Sequence, residues 1–162
     1  MKQFLYYQQR SCPFDVGTMP PVDFKLFRNP FFGPAHWFAL YRCVGLLGMA
    51  MVWLKLASPN RQLYCALEHG EVVHYGWCSF SHCRYYPVQK GDVVIGPIWS
   101  DNRFRGRGFA TTALQKCVNE LILQGYRRFW IDTSEDNLPC IKVIKKTEFG
   151  EPVVCYEKRE RG

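Results

Sequence analysis

The chain has 162 residues, which suffice for one ordinary domain but not for two, so we treat residues 1–162 as a single domain. Hydrophobic residues make up 48% of the chain and aromatic residues 16%, a composition that excludes an intrinsically disordered protein. The formal net charge of +7 favours an anionic partner, but it does not choose among a phosphate ligand, a nucleic acid and a membrane surface.

The eight cysteines do not form the pattern of a zinc site. None belongs to a C-x-x-C pair, and the nearest neighbours are Cys78 and Cys83, with His82 between them. The cysteines lie in apolar runs, which is typical of small buried side chains in a reducing compartment. Residues 1–10 also lack the apolar core of a secretory signal. We therefore expect a cytoplasmic protein that binds no metal.

The first half of the chain combines an irregular segment with a long apolar stretch. Residues 13–35 are rich in proline and predict a loop or short helices. Residues 36–57 are apolar nearly all round and predict a helix that begins near Pro34. The most apolar run, residues 43–54, is shorter than the roughly 20 residues that a membrane-spanning helix needs. We expect a buried helix with no membrane span; a membrane-facing patch is the alternative.

Strands follow this helix. Residues 61–80 contain two β-rich runs on either side of His69-Gly70, which predicts a hairpin. Residues 91–100 predict a further strand that is interrupted by Gly96-Pro97. Proline cannot donate a hydrogen bond to a neighbouring strand, so we expect a bulge or a local splay at that point.

The second half of the chain alternates strands and helices. Apolar residues recur at helical spacing from Phe109, and Gly125 is suited to end that helix. Residues 126–134 predict a strand, residues 137–149 a second helix and residues 150–160 a final strand. The order is therefore strand, turn, helix, strand, helix, strand.

The turn before the first of these helices, "RFRGRG", has a composition suited to phosphate. The first N–H groups of a helix have no internal partner and carry partial positive charge, and glycine allows a ligand to approach them closely. A P-loop is excluded because no G-x-x-x-x-G-K-[ST] run exists. A dinucleotide fingerprint is the weaker alternative, with Gly106, Gly108, Thr111 in the third glycine position and Asp132 as the ribose-binding acid.

The stretch "RGRGFATTAL" resembles the acetyl-CoA-binding turn of the GNAT superfamily of N-acetyltransferases. The family pattern [Q/R]-x-x-G-x-[G/A] is met by Arg105, Gly108 and Ala110. A second family motif, which opens the next helix, is matched by four residues, so that the resemblance extends over residues 93–149. These residues are Asn137, Cys140, Lys146 and Phe149.

The resemblance implies an α/β (mixed α+β) acyl-CoA N-acyltransferase fold, with a twisted mixed sheet flanked by helices and a splayed central strand. It implies acetyl-CoA as the co-substrate, with the pantetheine arm along the strand and the pyrophosphate on the turn. The residues that it implies for cofactor binding are Ile98, Trp99, Ser100, Arg105, Gly106, Arg107, Gly108, Phe109, Ala110, Thr111 and Asn137.

The chain departs from the family at the positions of the catalytic side chains. The tyrosine that serves many members as general acid is matched by Ile144, and the glutamate base of some members is matched by Val94. We therefore consider Asp92, two residues before Val94 on the same strand face, as a base that acts through water. The other titratable candidates are His74, His82, Tyr85, Tyr86 and Cys140.

The sequence thus predicts transfer of acetyl from acetyl-CoA to a primary amine. The aromatic segments at residues 29–38 and 79–87 are candidates to line an acceptor pocket, which favours a small amine such as an amino sugar or its nucleotide-linked form. A protein or peptide acceptor and a non-catalytic module that binds coenzyme A or nucleic acid are the alternatives. We expect no nucleic-acid partner, and we consider a homodimer.

Overall fold

The computed structural model describes residues 2–17, 20–31 and 33–157. Within these residues, seven strands and three α-helices follow one another, and a short 3₁₀-helix, Asn102–Phe104, precedes the second α-helix. The strands are β1 Lys2–Gln9, β2 Asp23–Phe27, β3 Arg61–Glu68, β4 Glu71–Phe80, β5 Asp92–Ser100, β6 Arg128–Ser134 and β7 Val154–Glu157. The α-helices are α1 Pro34–Leu56, α2 Phe109–Leu123 and α3 Leu138–Lys146.

The strands form one mixed sheet in the order β2-β3-β4-β5-β6-β1-β7. Strands β5 and β6 are parallel, because α2 crosses over between them, and the other neighbouring pairs are antiparallel. The hairpin turn falls at His69-Gly70, where both residues have positive φ angles of 50° and 77°. The mixed α/β fold expected from the sequence is confirmed.

The central strand β5 separates from β6 halfway along its length. Pairing with β6 covers Asp92 to Ile95 and does not extend beyond Ile95. On its other side β5 stays paired with β4, but the register shifts by one residue at Gly96-Pro97. The second half of β5 therefore leaves an opening in the sheet, at the dipeptide that the sequence indicated.

Helices cover the two faces of the sheet. Helices α2 and α3 pack on one face, where the side chains of Tyr64, Ile95 and Ile131 contribute to the main core. Helix α1 packs on the other face, against Leu63 and Trp77 among others. Alternate residues of β3 thus serve two cores, as strand geometry requires.

Two strands were missed or mistaken at the sequence level. The proline-rich segment was expected to be a loop or short helices, but residues Asp23–Phe27 within it form β2 at one edge of the sheet. Strand β1, which was not predicted, lies between β6 and β7. Both strands depend on partners far away in the chain, which local patterns do not reveal. The last predicted strand forms at Val154–Glu157, and residues 158–160 lie outside the described residues.

Helix α1 is less buried than the sequence predicted. Met49 and Val52 are buried, whereas Leu46, Leu47 and Leu54 are each more than 70% exposed. The expected fully buried helix was therefore wrong: α1 lies on the surface of the sheet and presents an apolar outer face. By length and composition alone α1 is also comparable to a membrane span. It is interrupted at Gly45, whose φ of 69° and ψ of −177° are not helical.

The cysteines divide between core and surface. All eight are free, and Cys65, Cys78, Cys117 and Cys140 are buried, as expected of small hydrophobic side chains. Cys12 and Cys155 are exposed instead, which the sequence did not predict.

Candidate active site

The glycine turn reaches the N-terminus of α2 in a conformation that glycine favours. Gly106 and Gly108 have φ angles of 79° and 85°, in the left-handed region. Gly108 is the residue before the helix, and its carbonyl accepts the N–H of Thr112 at 3.0 Å. The N–H groups of residues 109–111 therefore have no partner within the helix and are available to an anion.

The three arginines of the turn differ in their partners. Arg103 forms ion pairs with Asp101 at 2.8 Å and with Glu71 at 3.3 Å. Arg107 pairs with Glu68 at 2.5 Å. Arg105 forms no ion pair with a described residue, and it lines the cleft beside the turn. Of the three side chains, only that of Arg105 is thus placed to meet a ligand in this cleft.

A cleft of about 330 Å³ lies between the second half of β5, the turn and α3, and we call it the cofactor cleft. Nine of the eleven residues predicted to bind the cofactor line it. These are Ile98, Ser100, Arg105, Gly106, Gly108, Phe109, Ala110, Thr111 and Asn137. The lining also includes Cys140, Lys142 and Lys146 of α3, so that α3 adds two cations to the cleft.

Trp99 and Arg107 do not line the cofactor cleft. Strand alternation turns Trp99 to the opposite face of β5 from Ile98 and Ser100. Its ring stacks on Tyr75 with 5.2 Å between the ring centroids. Arg107 is held by its ion pair with Glu68. That the backbones of Trp99 and Arg107 contact the cofactor stays a prediction. The positions of their side chains do not support a side-chain contact with the cofactor.

The second motif positions the start of α3. The side chain of Asn137 accepts a hydrogen bond from the N–H of Cys140 at 3.3 Å and so caps the helix. Burial raises the pKa of the Cys140 thiol, which lines the cleft. Ile144, one turn later, is fully buried in the main core and does not line the cleft. The expectation that position 144 faces the cofactor thiolate is therefore wrong for this chain.

His74 is buried behind Ser100 and does not itself line the cofactor cleft. Its Nδ1 lies 2.7 Å from Ser100 Oγ, and its Nε2 lies 3.5 Å from the hydroxyl of Tyr64. Burial lowers the pKa of His74 to about 4, so that the ring is neutral near neutral pH. It positions Ser100, which lines the cleft.

Asp92 has a structural role and not that of a base. It is 2% exposed, and its carboxylate accepts hydrogen bonds from Arg128 Nε at 2.5 Å, Trp130 Nε1 at 3.0 Å and the N–H of Gln89 at 2.8 Å. Burial by itself raises the pKa of Asp92, but these hydrogen bonds outweigh it and the pKa is lowered. Asp92 also lies about 13 Å along the strand from the splay. The sequence-based suggestion of a base at this position is not supported.

A second cleft, of about 560 Å³, opens on the other side of the splay, and we call it the acceptor cleft. Val94, Ile95, Gly96, Pro97 and Ile98 of β5 line it, and Ile98 lines both clefts. The two clefts therefore meet at the splay of β5. Residues His82 to Tyr85 from the segment 79–87 also line it, as the sequence suggested, whereas no described residue of the segment 29–38 does.

Asp132 is the one carboxylate among the described residues that line the acceptor cleft. It follows Ile131, the last residue of β6 that pairs with β5, so it lies where the two strands part. Its Oδ2 accepts a hydrogen bond from the hydroxyl of Tyr156 at 2.9 Å. The sequence analysis considered Asp132 only as a ribose-binding acid. Alternation along β6 sets Trp130 and Asp132 on the face opposite Ile131, but only the register of β6 against β5 places Asp132 beside the splay.

Two tyrosines border Asp132. Burial, and next the carboxylate of Asp132, raise the pKa of Tyr156, so its hydroxyl stays protonated as a donor to that carboxylate. The hydroxyl of Tyr86 is buried without a hydrogen-bond partner among the described residues, and its ring lies 6.1 Å from that of Tyr156. Burial also raises the pKa of Tyr86. Asp132 thus lies in a half-buried environment of aromatic rings.

A splayed sheet with a phosphate-type turn on one side and an open cleft on the other defines an acyl-CoA N-acyltransferase. The sequence profile described as Acetyltransferase (GNAT) family matches residues 24–149, most of the chain. The chain therefore belongs to the GNAT family of N-acetyltransferases. Among curated protein sequences, none matches the chain at a significant level.

Solved structures share the fold at low sequence identity. The aminoglycoside N-acetyltransferase AAC(6')-Iy, in complex with the bisubstrate analog CoA-S-monomethyl-acetylneamine, has a TM-score of 0.64 at 19% identity, over 88% of this chain and 100% of that one. The aminoglycoside acetyltransferase meta-AAC0020, from an uncultured soil metagenomic sample and in complex with sisomicin, has a TM-score of 0.61 at 10% identity, over 91% and 100%.

A relative named for a protein acceptor has the same fold. The ribosomal-protein-alanine N-acetyltransferase from Brucella melitensis biovar Abortus 2308 has a TM-score of 0.57 at 14% identity, over 78% of this chain and 90% of that one. The fold is thus shared by structures named for both small-molecule and protein acceptors. The acceptor must therefore be argued from the cleft itself.

Proposed function

We propose that the chain transfers the acetyl group of acetyl-CoA to the primary amine of a small molecule. The observation that carries this proposal is the meeting of two clefts at the splay of β5. One cleft has the features of a phosphate site, and the other has a single carboxylate at the point of opening. A donor and an acceptor bound in these clefts would be brought together beside Ile98.

The cofactor cleft fits coenzyme A. The free N–H groups of residues 109–111 would hold the pyrophosphate, and the unpaired guanidinium of Arg105 would add a charged donor. The edge of residues 96–100 that faces away from β4 has no strand partner, and it would pair with the pantetheine arm. When bound, acetyl-CoA supplies the activated acetyl thioester. Backbone N–H groups at the splay would stabilise the negative charge that develops on its carbonyl oxygen.

Asp132 would orient the amine of the acceptor. An amine arrives at neutral pH as an ammonium ion, which a carboxylate in a half-buried cleft attracts and holds. Acetyl transfer needs the neutral amine, so one proton must leave the nitrogen, and Asp132 or a water on it is placed to accept that proton. Tyr156 donates a hydrogen bond to Oδ2, and Oδ1 would be the carboxylate oxygen that meets the amine.

Cys140 would return a proton to the departing thiolate. Burial raises the pKa of its thiol, so the group is protonated at neutral pH but is a weaker acid than a free thiol; the proton that it gives to the thiolate would be replaced from water in the cofactor cleft, which Cys140 lines. The thiol is a weaker donor than a phenol, so this arrangement predicts a slower enzyme than one with a tyrosine in that place. A water in the same cleft is the other source of this proton.

The test is a thiol-release assay with acetyl-CoA and a panel of amines. The panel contains glucosamine, UDP-glucosamine, neamine and a peptide with a free N-terminal alanine. We expect acetylation of at least one sugar amine and none of the peptide, with the product identified by mass spectrometry. Acetylation of the peptide alone would replace the small-molecule acceptor by a protein one. Tight binding of acetyl-CoA without transfer to any amine would indicate a non-catalytic module.

A further inference from the structure

The acceptor cleft contains cations that have no acidic partner. Lys55 comes from the last turn of α1, Arg61 is the first residue of β3 and Arg84 lies in the loop between β4 and β5. None of the three takes part in a salt bridge within the described chain. Arginines elsewhere, such as Arg103 and Arg107, are paired with carboxylates. The positive charges of these three side chains are therefore not balanced by an acidic partner within the described residues.

Lys55 and Arg61 lie close enough to affect one another. Burial, and next the positive charge of Arg61, lower the pKa of Lys55. The ammonium of Lys55 lies over the ring of Trp77, 4.9 Å from its centroid, which fixes its position at the wall of the cleft. Two partly dehydrated cations without a counter-ion are unfavourable, and an anion between them would relieve the repulsion.

Two of these cations, Lys55 and Arg61, lie at the far end of the cleft from Asp132. One row of paired residues crosses strands β3, β4, β5 and β6 on the same face of the sheet. In that order, the row consists of Arg61, Ser79, Val94 and Trp130. Asp132 lies two residues further along β6. With strands about 4.8 Å apart and a rise of about 3.3 Å per residue, the Cα atoms of Arg61 and Asp132 are roughly 16 Å apart.

This spacing suits a monosaccharide-sized molecule with opposite charges at its two ends. Extended arginine or lysine side chains reach about 6 Å into the cleft from their backbones, and an aspartate reaches about 2 to 3 Å. When both side chains lean toward each other, the charged groups are on the order of 7 Å apart, the length of one sugar ring with a substituent; when both stand upright on the sheet, the gap approaches the roughly 16 Å between the Cα atoms. A molecule that met both ends would present its amine to Asp132, at the splay, and an anion to Lys55 and Arg61.

We propose that the acceptor is an anionic amine, whose phosphate or carboxylate binds to Lys55 and Arg61 while its ammonium binds to Asp132. The proposal rests on the acetyl transfer proposed above and narrows its acceptor. It also separates this chain from its structural neighbours in complex with aminoglycosides, because a polyamine such as sisomicin would bring further positive charge to the three cations. Specificity would thus come from repulsion of one class as well as attraction of another.

Calorimetry in the presence of coenzyme A tests the proposal without relying on turnover. The ligands are glucosamine, glucosamine 6-phosphate, the uronic acid of glucosamine, and neamine, which share an amino sugar ring and differ in charge. We expect at least one anionic ligand to bind ten-fold or more tightly than glucosamine, and neamine to bind no better than glucosamine. Preference for the phosphate or for the uronic acid identifies the anion. Equal binding of charged and uncharged rings, tighter binding of neamine, or no binding of either anionic ligand would overturn the proposal.

Arg61→Ala is the decisive variant, with Lys90→Ala as its control. Lys90 belongs to the same loop as Arg84, but it does not line the cleft. We expect Arg61→Ala to abolish the preference for the anionic ligand and to leave glucosamine within two-fold, whereas Lys90→Ala changes neither. If Arg61→Ala unfolds at lower urea, Lys55→Gln provides the same comparison. A preference retained in both Arg61→Ala and Lys55→Gln would contradict the assignment.

Acetyl transfer to the same four ligands is measured separately, with acetyl-CoA in place of coenzyme A, so the two proposals fail separately. A binding preference for the anionic ring without any transfer would reject the acetyl transfer and leave the anion site standing. Transfer to amines without a preference for anionic ones would reject the anion site alone.

Discussion

The two clefts that meet at β5 are built in different ways. The cofactor cleft draws on β5, the adjoining turn and the start of α2, residues 98–111, together with a few residues of α3, and much of what it offers is backbone N–H. The acceptor cleft is lined by side chains from α1, from five of the strands and from one loop. Recognition by backbone needs a particular local conformation, which glycine and spacing encode. Recognition by side chains needs only that distant residues meet, and no local pattern encodes that.

The difference has a functional counterpart. A common co-substrate is bound by atoms that every residue has, whereas the acceptor is selected by side chains that can change one at a time. Substitutions in one cleft should therefore leave the other function intact. The following experiments test that separation.

The largest effect is expected for Asp132→Asn. The amide cannot attract the ammonium as a carboxylate does or accept its proton, so kcat/KM for the acceptor should fall by about 10²- to 10⁴-fold. Acetyl-CoA affinity should stay within two-fold, as measured by calorimetry. Asp136→Asn, at an exposed position outside both clefts, serves as the control and should change neither quantity. A kcat/KM for Asp132→Asn close to that of the wild type would exclude Asp132 from the chemistry.

Gly108→Ala should weaken acetyl-CoA binding by about ten- to hundred-fold, or roughly 1.4 to 2.8 kcal/mol. A Cβ at this position would be strained at φ of 85° and would lie 3.3 Å from Pro20, which displaces the turn. Gly70→Ala is the matched control, because its φ is 77° but its Cβ would have no neighbour within 4 Å. That control should lose about 1 kcal/mol of stability and keep the affinity. If Gly108→Ala and Gly70→Ala bound acetyl-CoA equally well, the turn at Gly108 would not be the phosphate-binding site.

Arg105→Ala should reduce acetyl-CoA affinity by about ten-fold, since it removes one charged donor from the cofactor cleft. Arg103→Ala removes the same charge from the same turn. Because Arg103 is paired with Asp101 and Glu71, this variant should bind acetyl-CoA as tightly as the wild type. Titrations at two salt concentrations should show a weaker salt dependence for Arg105→Ala alone. An identical loss in both variants would indicate a general effect of surface charge.

The smallest effect concerns His74, beneath the cofactor cleft. Its pKa is about 4 in the folded chain and near 6.5 when unfolded, so between these values the unfolded state binds more protons and stability is lost as the pH falls. The free energy of unfolding should decrease by about 1 kcal/mol between pH 7 and pH 5.5 from this residue. Urea unfolding of the wild type and of His74→Gln measures it. A variant with the same pH dependence as the wild type would assign the loss to other groups.

What the sequence predicted correctly was local. The hairpin turn at His69-Gly70, the interruption at Gly96-Pro97 and the turn before Phe109 each follow from residues next to one another in the chain. Strand β1 pairs with β6 more than a hundred residues later, and nothing in its own pattern indicates that partner. Asp132 could be placed beside the splay only once the register of β5 and β6 was known.

The errors in the site have the same origin. Asp92 was suggested as a base from strand alternation, which predicts the sheet face of Asp92 correctly. Alternation does not reveal that Arg128 and Trp130 donate hydrogen bonds to the carboxylate of Asp92. Ile144 was aligned with a family tyrosine, yet burial among core residues depends on packing and not on spacing. The outer face of α1 was expected to be covered, but it is exposed. Composition shows how apolar a helix is, and it does not show which other elements pack against it.

The interior position of β1 bears on how the chain is made. On the ribosome, residues 2–9 are made long before their partner β6, which is complete only when residue 134 has been added. At 5 to 20 residues per second this interval lasts roughly 6 to 25 s. During that time Leu5 and Tyr6, buried in the finished sheet, must stay in a nascent chain without their strand. Strand β1 can therefore join the sheet only after both of its neighbours, β6 and β7, have been made.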